Sequence, residues 1–265
     1  MSVRPSAVAG VFYPSDTDAL SSMIDGFLQK TINCFKVPKI LIAPHAGYMY
    51  SGLVAASAYK QLENLDQNKK YRVLLIGTSH RVYFHGVAFS SFSAFETPLG
   101  VVDVDVAKEQ AFINSSPFAF FNDEAHAYEH SLETQLPFLQ KSLKNFSIIP
   151  AVYSDCDMLE IEATLDYFLQ DEDTIAIISA DLSHFNDYET AQKMDLETID
   201  MIENGYVIEL VHEQTCGKNG ICAVVNYAKR HSLKEKTLDY KNSGDITNDK
   251  TKVVGYMSAI FYMEH

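Results

Sequence analysis

Short apolar runs alternate along this chain with longer segments in which apolar residues recur on one face. Residues 39–43 and 72–77 are nearly continuous apolar runs, a pattern typical of strands buried on both faces of a sheet. Further strands are predicted at residues 86–90, 146–153, 174–179 and 253–262. Helical periodicity predicts helices at residues 16–30, 52–65, 130–143, 187–204 and 220–231.

The order of these elements predicts the class of fold. Strands separated by helices favour an α/β domain, with a largely parallel sheet and helices on both of its faces. In such sheets, ligands bind beyond the carboxyl ends of the strands. The residues that follow each strand are therefore the candidates for a functional site.

Composition and charge narrow the classes of partner and cofactor. The 265 residues include 35 acidic and 21 basic ones, and the formal net charge of -14 argues against a nucleic-acid partner. No apolar run approaches the roughly 20 residues that span a bilayer, and no secretory leader is recognisable, so a cytoplasmic protein outside the membrane is expected. The chain has no glycine-rich phosphate-binding motif, so no nucleotide cofactor is expected.

Three of the predicted strands are each followed within a few residues by a histidine: His45, His80 and His184. A single histidine of this kind is often a hydrogen-bonded loop residue, but three at equivalent positions predict one shared cleft. Two histidines and one anionic ligand are typical of non-haem iron(II) sites, and zinc hydrolases use related sets. The acidic segment 123–126, which carries another histidine, is expected to be a solvated loop.

The anionic ligand of such a site has three candidates, Asp181, Glu129 and Cys216. Cys216 stands in a glycine-flanked turn before a predicted helix, where the pKa of a thiol is lowered. Glu129 precedes another predicted helix, for which Ser131 is the expected N-cap. A cap at Ser131 gives no role to Glu129 and His130, and we therefore expect these two residues to line the cleft.

Six strings of this sequence, in the same order, resemble the Memo family, whose microbial members are often called AmmeMemoRadiSam system protein B. The resemblance covers nearly the whole chain. The strings are RP (4–5) with AGVFY (9–13), APHAGYMYSG (43–52), LIGTSH (75–80), EHSLETQLPFL (129–139), SADLSHF (179–185) and CGKNGI (216–221).

The resemblance implies one Memo-like domain over residues 1–265. Its fold is similar to that of class III extradiol dioxygenases, a three-layer αβα domain around a central mixed, largely parallel sheet. In those dioxygenases two histidines and a glutamate hold iron(II), and a further histidine acts as acid and base.

Carried over by motif, the resemblance implies metal ligands at His45, His80 and Cys216. It also implies an acid–base role for His184, with Asp181 beside it. A thiolate in place of the carboxylate is a softer ligand, so one iron(II) or copper ion is the implied cofactor, with zinc as a third candidate. The fold alone does not imply ring cleavage.

Three functions are compatible with these residues. The first is a dioxygenase-like, metal-dependent oxidoreductase that uses oxygen on a small molecule. The second is a non-catalytic scaffold that kept the cleft and binds a metal, a protein or a phosphopeptide, as the resemblance to signalling Memo proteins implies. The third is a metal-free hydrolase with Cys216 as nucleophile and His184 or His80 as base.

Overall fold

The computed structural model describes residues 2–207 and 210–264. Its strands, in chain order, are β1 (Val3–Arg4), β2 (Pro38–Ala43), β3 (Tyr71–Thr78), β4 (Val87–Phe89), β5 (Ala94–Thr97), β6 (Gly100–Asp103), β7 (Ala119–Phe121), β8 (Phe146–Tyr153), β9 (Thr174–Ser179), β10 (His184–Asn186), β11 (Lys234–Asn242) and β12 (Val253–Tyr262).

The helices cover both faces of the sheet. They are α1 (Thr17–Lys30), α2 (Tyr48–Tyr59), α3 (Val106–Ile113), α4 (Asp123–Ala127), α5 (His130–Glu133), α6 (Leu136–Ser142), α7 (Met158–Leu169), α8 (Tyr188–Asn204), α9 (Lys218–Arg230) and α10 (Ser243–Thr247). Short 3₁₀ turns lie at Lys60–Asn64 and His212–Gln214.

Within the described part of the chain, the large sheet has nine strands. Their order is β10-β12-β2-β9-β3-β8-β4-β7, with β11 paired to β12. The four central strands β2, β9, β3 and β8 are parallel, while β12 and β4 join them antiparallel on either side. The prediction of a mixed, largely parallel sheet in a three-layer αβα fold is confirmed.

Alternating side chains of the central strands build one hydrophobic core on each face of the sheet. On β2, Ile40 and Ile42 join the core beneath α7, α8 and α9, while Leu41 and Ala43 join the core beneath α1, α2 and α6. Because both faces are covered, the central strands read as continuous apolar runs in the sequence. The parallel strands end at one edge, and this edge carries the candidate site.

Two predicted helices have different bounds in the structure. The helix predicted from residue 52 begins at Tyr48, whose buried ring packs in the core and whose hydroxyl donates a hydrogen bond to the Thr134 carbonyl. The helix predicted over 130–143 is two helices, α5 and α6, because Pro137 has no N–H to continue the ladder to the Glu133 carbonyl. The sequence reasoning did not predict β1, β5, β6, β7, β10, β11, α3, α4, α7 and α10.

The prediction of a solvated loop at residues 123–126 was wrong for its histidine. This segment lies in α4, capped by the Asn122 side chain, and His126 is 1% exposed. The Nε2–H group of His126 donates to the Ala88 carbonyl at 3.0 Å. Burial lowers the pKa of His126 from its usual 6.5 to about 4.

The buried His126 is expected to make stability depend on pH. The pKa of His126 is lower in the folded protein than in the unfolded chain. As the pH falls from 6.5 towards 4, the unfolded chain therefore binds a proton at His126 before the folded protein does, and the free energy of unfolding decreases. The wild type is therefore expected to lose ~2 kcal/mol more than His126→Gln between pH 7.5 and pH 5, since one pKa unit corresponds to about 1.4 kcal/mol. Urea unfolding of both proteins at the two pH values measures this difference, and parallel losses would contradict it.

Candidate metal centre

Three predicted ligands meet at the carboxyl edge of the sheet. His45 follows β2, His80 follows β3, and Cys216 lies just before α9. One ligand atom from each can be chosen so that all three lie within 4.8 Å of one another. His45 is buried, whereas the His80 side chain is 29% exposed, so the group is closed on one side and open to solvent on the other.

The hydrogen bonds around Ser179, the last residue of β9, fix the tautomer of His45. The Ser179 hydroxyl donates to the Ser131 carbonyl at 2.6 Å, so its oxygen can only accept from the His45 Nδ1–H group, 2.9 Å away. The proton of a neutral His45 is therefore on Nδ1. Its Nε2 carries a lone pair and lies 3.5 Å from the Cys216 Sγ.

Glu129 fixes His80 in the same way. One carboxylate oxygen accepts from the His80 backbone N–H at 2.6 Å, and the other accepts from the His80 Nδ1–H at 2.9 Å and the Ser131 N–H at 2.9 Å. Burial alone would raise the pKa of Glu129, but hydrogen bonds from His130 and His80 outweigh it and hold that pKa well below its usual range. In the neutral form of His80 the ring proton is therefore on Nδ1, and Nε2 carries the lone pair.

Glu129 also caps α5, the role that the sequence reasoning gave to Ser131. Its side chain accepts the Ser131 N–H, so Glu129 rather than Ser131 is the N-cap residue. The following His130 places Nδ1 3.2 Å from the same carboxylate, and its ring centroid lies 4.6 Å from that of His80 and 5.3 Å from that of His45. Glu129 and His130 therefore stand beside the three candidate ligands.

Asp181 forms hydrogen bonds with both Cys216 and His45. The Asp181 N–H donates to the Cys216 Sγ at 3.4 Å, and the Asp181 carboxylate accepts the His45 backbone N–H at 2.8 Å. A Cβ on Gly217 would stand 2.3 Å from the Ala180 Cβ, so only glycine lets the turn bring Cys216 this close to the end of β9. The expectation that the turn before a helix lowers the pKa of the Cys216 thiol was wrong: burial, with the Asp181 charge, raises that pKa, so a bound cation would be needed to deprotonate the thiol.

His184 stands apart from this group. It begins β10, is half-buried, and lies opposite Val254 in the antiparallel ladder with β12. In the part of the chain that the structure describes, the donor groups that could hold a metal ion do not include His184. Its acid–base role stays a prediction from the resemblance.

Sequence reasoning missed two residues that orient His45, Gln135 and Ser179. Gln135 donates from its side-chain amide to the Pro44 carbonyl and to the Ser179 hydroxyl, both at 2.9 Å, and so supports the residue that holds His45. Ser179 is the last residue of an apolar strand and Gln135 lies inside a predicted helix, so neither position indicated a functional role. The one available signal was that both lie in strings shared with the Memo family.

A second group of donor atoms, from His80, Glu129 and His130, also fits within 4.8 Å. Here the Glu129 carboxylate is already occupied by two backbone N–H groups and the His80 ring. The group of His45, His80 and Cys216 offers instead two imidazole lone pairs and a thiol, a set suited to borderline and soft metal ions. It is the better candidate for a metal centre.

Comparison with known sequences identifies relatives along the whole chain. The sequence model of the Memo-like protein family matches residues 4–260. A MEMO1 family protein of Aquifex aeolicus is 37% identical, with 98% of this chain and all of the relative aligned. MEMO1 family proteins of Methanobrevibacter smithii and Thermoplasma volcanium are 33% and 31% identical, with at least 97% of this chain and 98% of the relative aligned in each case.

Among the helices of residues 2–207 and 210–264, none combines the length and the apolar character that crossing a bilayer requires.

Proposed function

Because this chain belongs to the Memo-like protein family, as predicted, and brings two imidazoles and a thiol together, we propose that it is a metal-dependent oxidoreductase. Iron(II) or copper, held by His45, His80 and Cys216, would act with oxygen on a small organic substrate. The observation that carries this proposal is the approach of the three donor atoms to within 4.8 Å of one another. Zinc fits the same donors but supplies no redox chemistry.

The residues present fit a metal ion because their protons already point away from it. Ser179 and Glu129 hold the Nδ1–H groups of His45 and His80, which leaves both Nε2 lone pairs free for a cation. A metal ion bound here would supply Lewis acidity and one-electron redox chemistry. The exposed side, where the His80 and His130 side chains are 29% and 16% exposed, leaves room for a substrate to approach.

The remaining polar residues would handle protons and orientation. We assign acid–base chemistry to His184, three positions after Asp181, on the strength of the motif that both residues share with the family. The Asp181 carboxylate holds the His45 backbone and lies 3.9 Å from the His45 Nε2, so it would keep the ligand in place.

A metal-free cysteine hydrolase has less support. The sequence suggested His184 or His80 as its base, whereas the imidazole that contacts the Cys216 thiol is His45, with Sγ and Nε2 3.5 Å apart. Burial raises the pKa of Cys216 and lowers that of His45 to about 4, so both groups favour their neutral forms. A thiolate nucleophile is therefore disfavoured in the absence of a metal.

Oxygen consumption tests the proposed function. The protein is loaded anaerobically with Fe(II) or Cu(I) and mixed with catechols and other small aromatic compounds, and oxygen uptake is recorded. We expect turnover with at least one substrate and a loss of roughly 10²–10⁴-fold in His184→Gln, the usual contribution of a general acid–base group. The variant should retain its metal.

One outcome would contradict the oxidoreductase, and another would contradict the role of His184. Metal binding without oxygen uptake on any substrate would favour the non-catalytic scaffold. Equal turnover in wild type and His184→Gln would remove His184 from the acid–base role. A matched variant, His212→Gln, changes a histidine outside the centre and controls for the general effect of losing an imidazole.

A further inference from the structure

A surface cavity of about 470 Å³ lies between the end of α1, helix α2 and the edge strand β11. None of its lining residues belongs to the candidate metal centre. The residues that line it are Lys30, Thr31, Ile32, Cys34, Leu53, Ser57, Lys236, Thr237, Leu238, Asp239 and Lys241.

The charged residues that line the cavity are mainly basic, whereas the protein as a whole is acidic. Acidic residues outnumber basic ones 35 to 21 in the chain, yet three lysines and a single aspartate, Asp239, line this space. Across residues 2–207 and 210–264, no ion pair joins Lys30, Lys236 or Lys241 to a carboxylate, whereas other lysines do form such pairs. The cavity is therefore a local concentration of unpaired positive charge.

A β-bulge in β11 brings two of these lysines to one face of the sheet. Lys236 and Lys241 are five positions apart, so in a regular strand they would point to opposite faces. The ladder shifts register around Leu238, so that Lys236 lies opposite Ile260 and Lys241 opposite Tyr256. Ile260 and Tyr256 are four positions apart on β12 and share a face, and the two lysines therefore share it too.

We propose that this cavity binds a small phosphorylated molecule. The three ammonium groups exceed the one carboxylate by two charges, which complements the dianion of a phosphate ester. The volume is in the range of small-molecule sites in proteins, about 300–1,000 Å³. The site is separate from the metal centre, so it does not depend on the proposed oxidoreductase function.

Lysines on an edge strand have a second role in other proteins, because they block pairing with a further strand. A β-bulge is itself one of the features that protect sheet edges. Lys30 nevertheless favours a ligand, because it lies on α1, outside the edge strand, and lines the same cavity. The two roles make different predictions about binding and self-association.

Titration of metal-free protein with inorganic pyrophosphate, followed by calorimetry at low salt, tests the site. Removing the metal keeps the probe from binding at His45, His80 and Cys216. We expect saturable binding of one pyrophosphate per chain that weakens as sodium chloride is added. The double variant Lys236→Gln/Lys241→Gln is expected to bind roughly tenfold or more weakly, because it loses two charge-assisted contacts.

The matched control is Lys144→Gln/Lys193→Gln, which removes the same two charges at exposed positions outside the cavity. This control is expected to bind pyrophosphate as the wild type does. Absence of saturable binding by the wild type, or equal weakening in both variants, would overturn the proposal. Self-association of Lys236→Gln/Lys241→Gln in size-exclusion chromatography, with pyrophosphate affinity unchanged, would also overturn it and assign the lysines to edge protection.

Discussion

Replacing Cys216 by alanine is expected to weaken metal binding by roughly a hundredfold or more. Structural zinc sites with four protein ligands gain about 10–16 kcal/mol from the ion, or ~3 kcal/mol for each ligand. The loss should be visible in anaerobic competition with a chelator. Loading with Co(II) gives a second readout, because the thiolate-to-cobalt absorption band should be present in the wild type and absent in Cys216→Ala.

Two further variants show how large the loss of metal affinity in Cys216→Ala is and whether it is specific. Glu129→Gln keeps the shape of the side chain that holds the His80 Nδ1–H, and is expected to weaken binding by about 10–100-fold. Cys222→Ala removes a buried thiol that donates to the Val207 carbonyl, away from the centre, and should leave affinity unchanged. Equal metal affinity in Cys216→Ala and Cys222→Ala would exclude Cys216 as a ligand.

Glu133→Gln is expected to destabilise the fold by about 3–5 kcal/mol, the usual cost of breaking one side of a buried ion pair. Glu133 and Arg4 are almost completely buried and joined by an ion pair. The Glu133 carboxylate also accepts from the Ala7 and Val8 N–H groups and from the Tyr13 hydroxyl. The glutamine would leave the Arg4 guanidinium buried without a counter-charge.

The same network holds the start of α5 in place. Besides Glu133, Arg4 donates to the carbonyls of His126 and Glu129, both at 2.7 Å, so the N-terminal segment is tied to the residues that orient His80. Urea unfolding of metal-free protein measures the loss of stability in Glu133→Gln. The exposed pair between Lys193 and Glu197 supplies the contrast, since Lys193→Gln should cost only about 0–1 kcal/mol.

Comparable losses of stability in Glu133→Gln and Lys193→Gln would show that the buried ion pair contributes no more than an exposed one. A double variant distinguishes the cost of an unpaired buried charge from the cost of the lost hydrogen bonds. Arg4→Met/Glu133→Leu removes both charges together, and we expect it to be more stable than Glu133→Gln, because neither charge remains buried alone. A double variant that is less stable than Glu133→Gln would show that the hydrogen bonds, rather than the unpaired charge, dominate.

The pattern of apolar residues along the sequence was enough to predict the central strands of the fold. The strands β2, β3, β8, β9 and β12 were predicted within one or two residues, because strands covered on both faces must be continuously apolar. The edge strands β10 and β11 were missed, since they carry polar residues and form by pairing with β12. The partner of β10 lies far along the chain, where local periodicity carries no information, whereas β11 pairs with the next strand and was missed because its side chains are mostly polar.

By itself, the sequence determined the class of fold, the family, and the histidines at the ends of β2 and β3 as candidate ligands. The class of fold and the candidate ligands follow from local periodicity and from the rule that parallel strands end at one edge, and the family follows from the six strings that resemble it. Only the tertiary structure decided that Cys216 lies beside His45, 171 positions away, and that Glu129 and Ser179 fix the histidine tautomers. Those contacts depend on strand register and on helix packing, so they exist only once distant segments have been brought together.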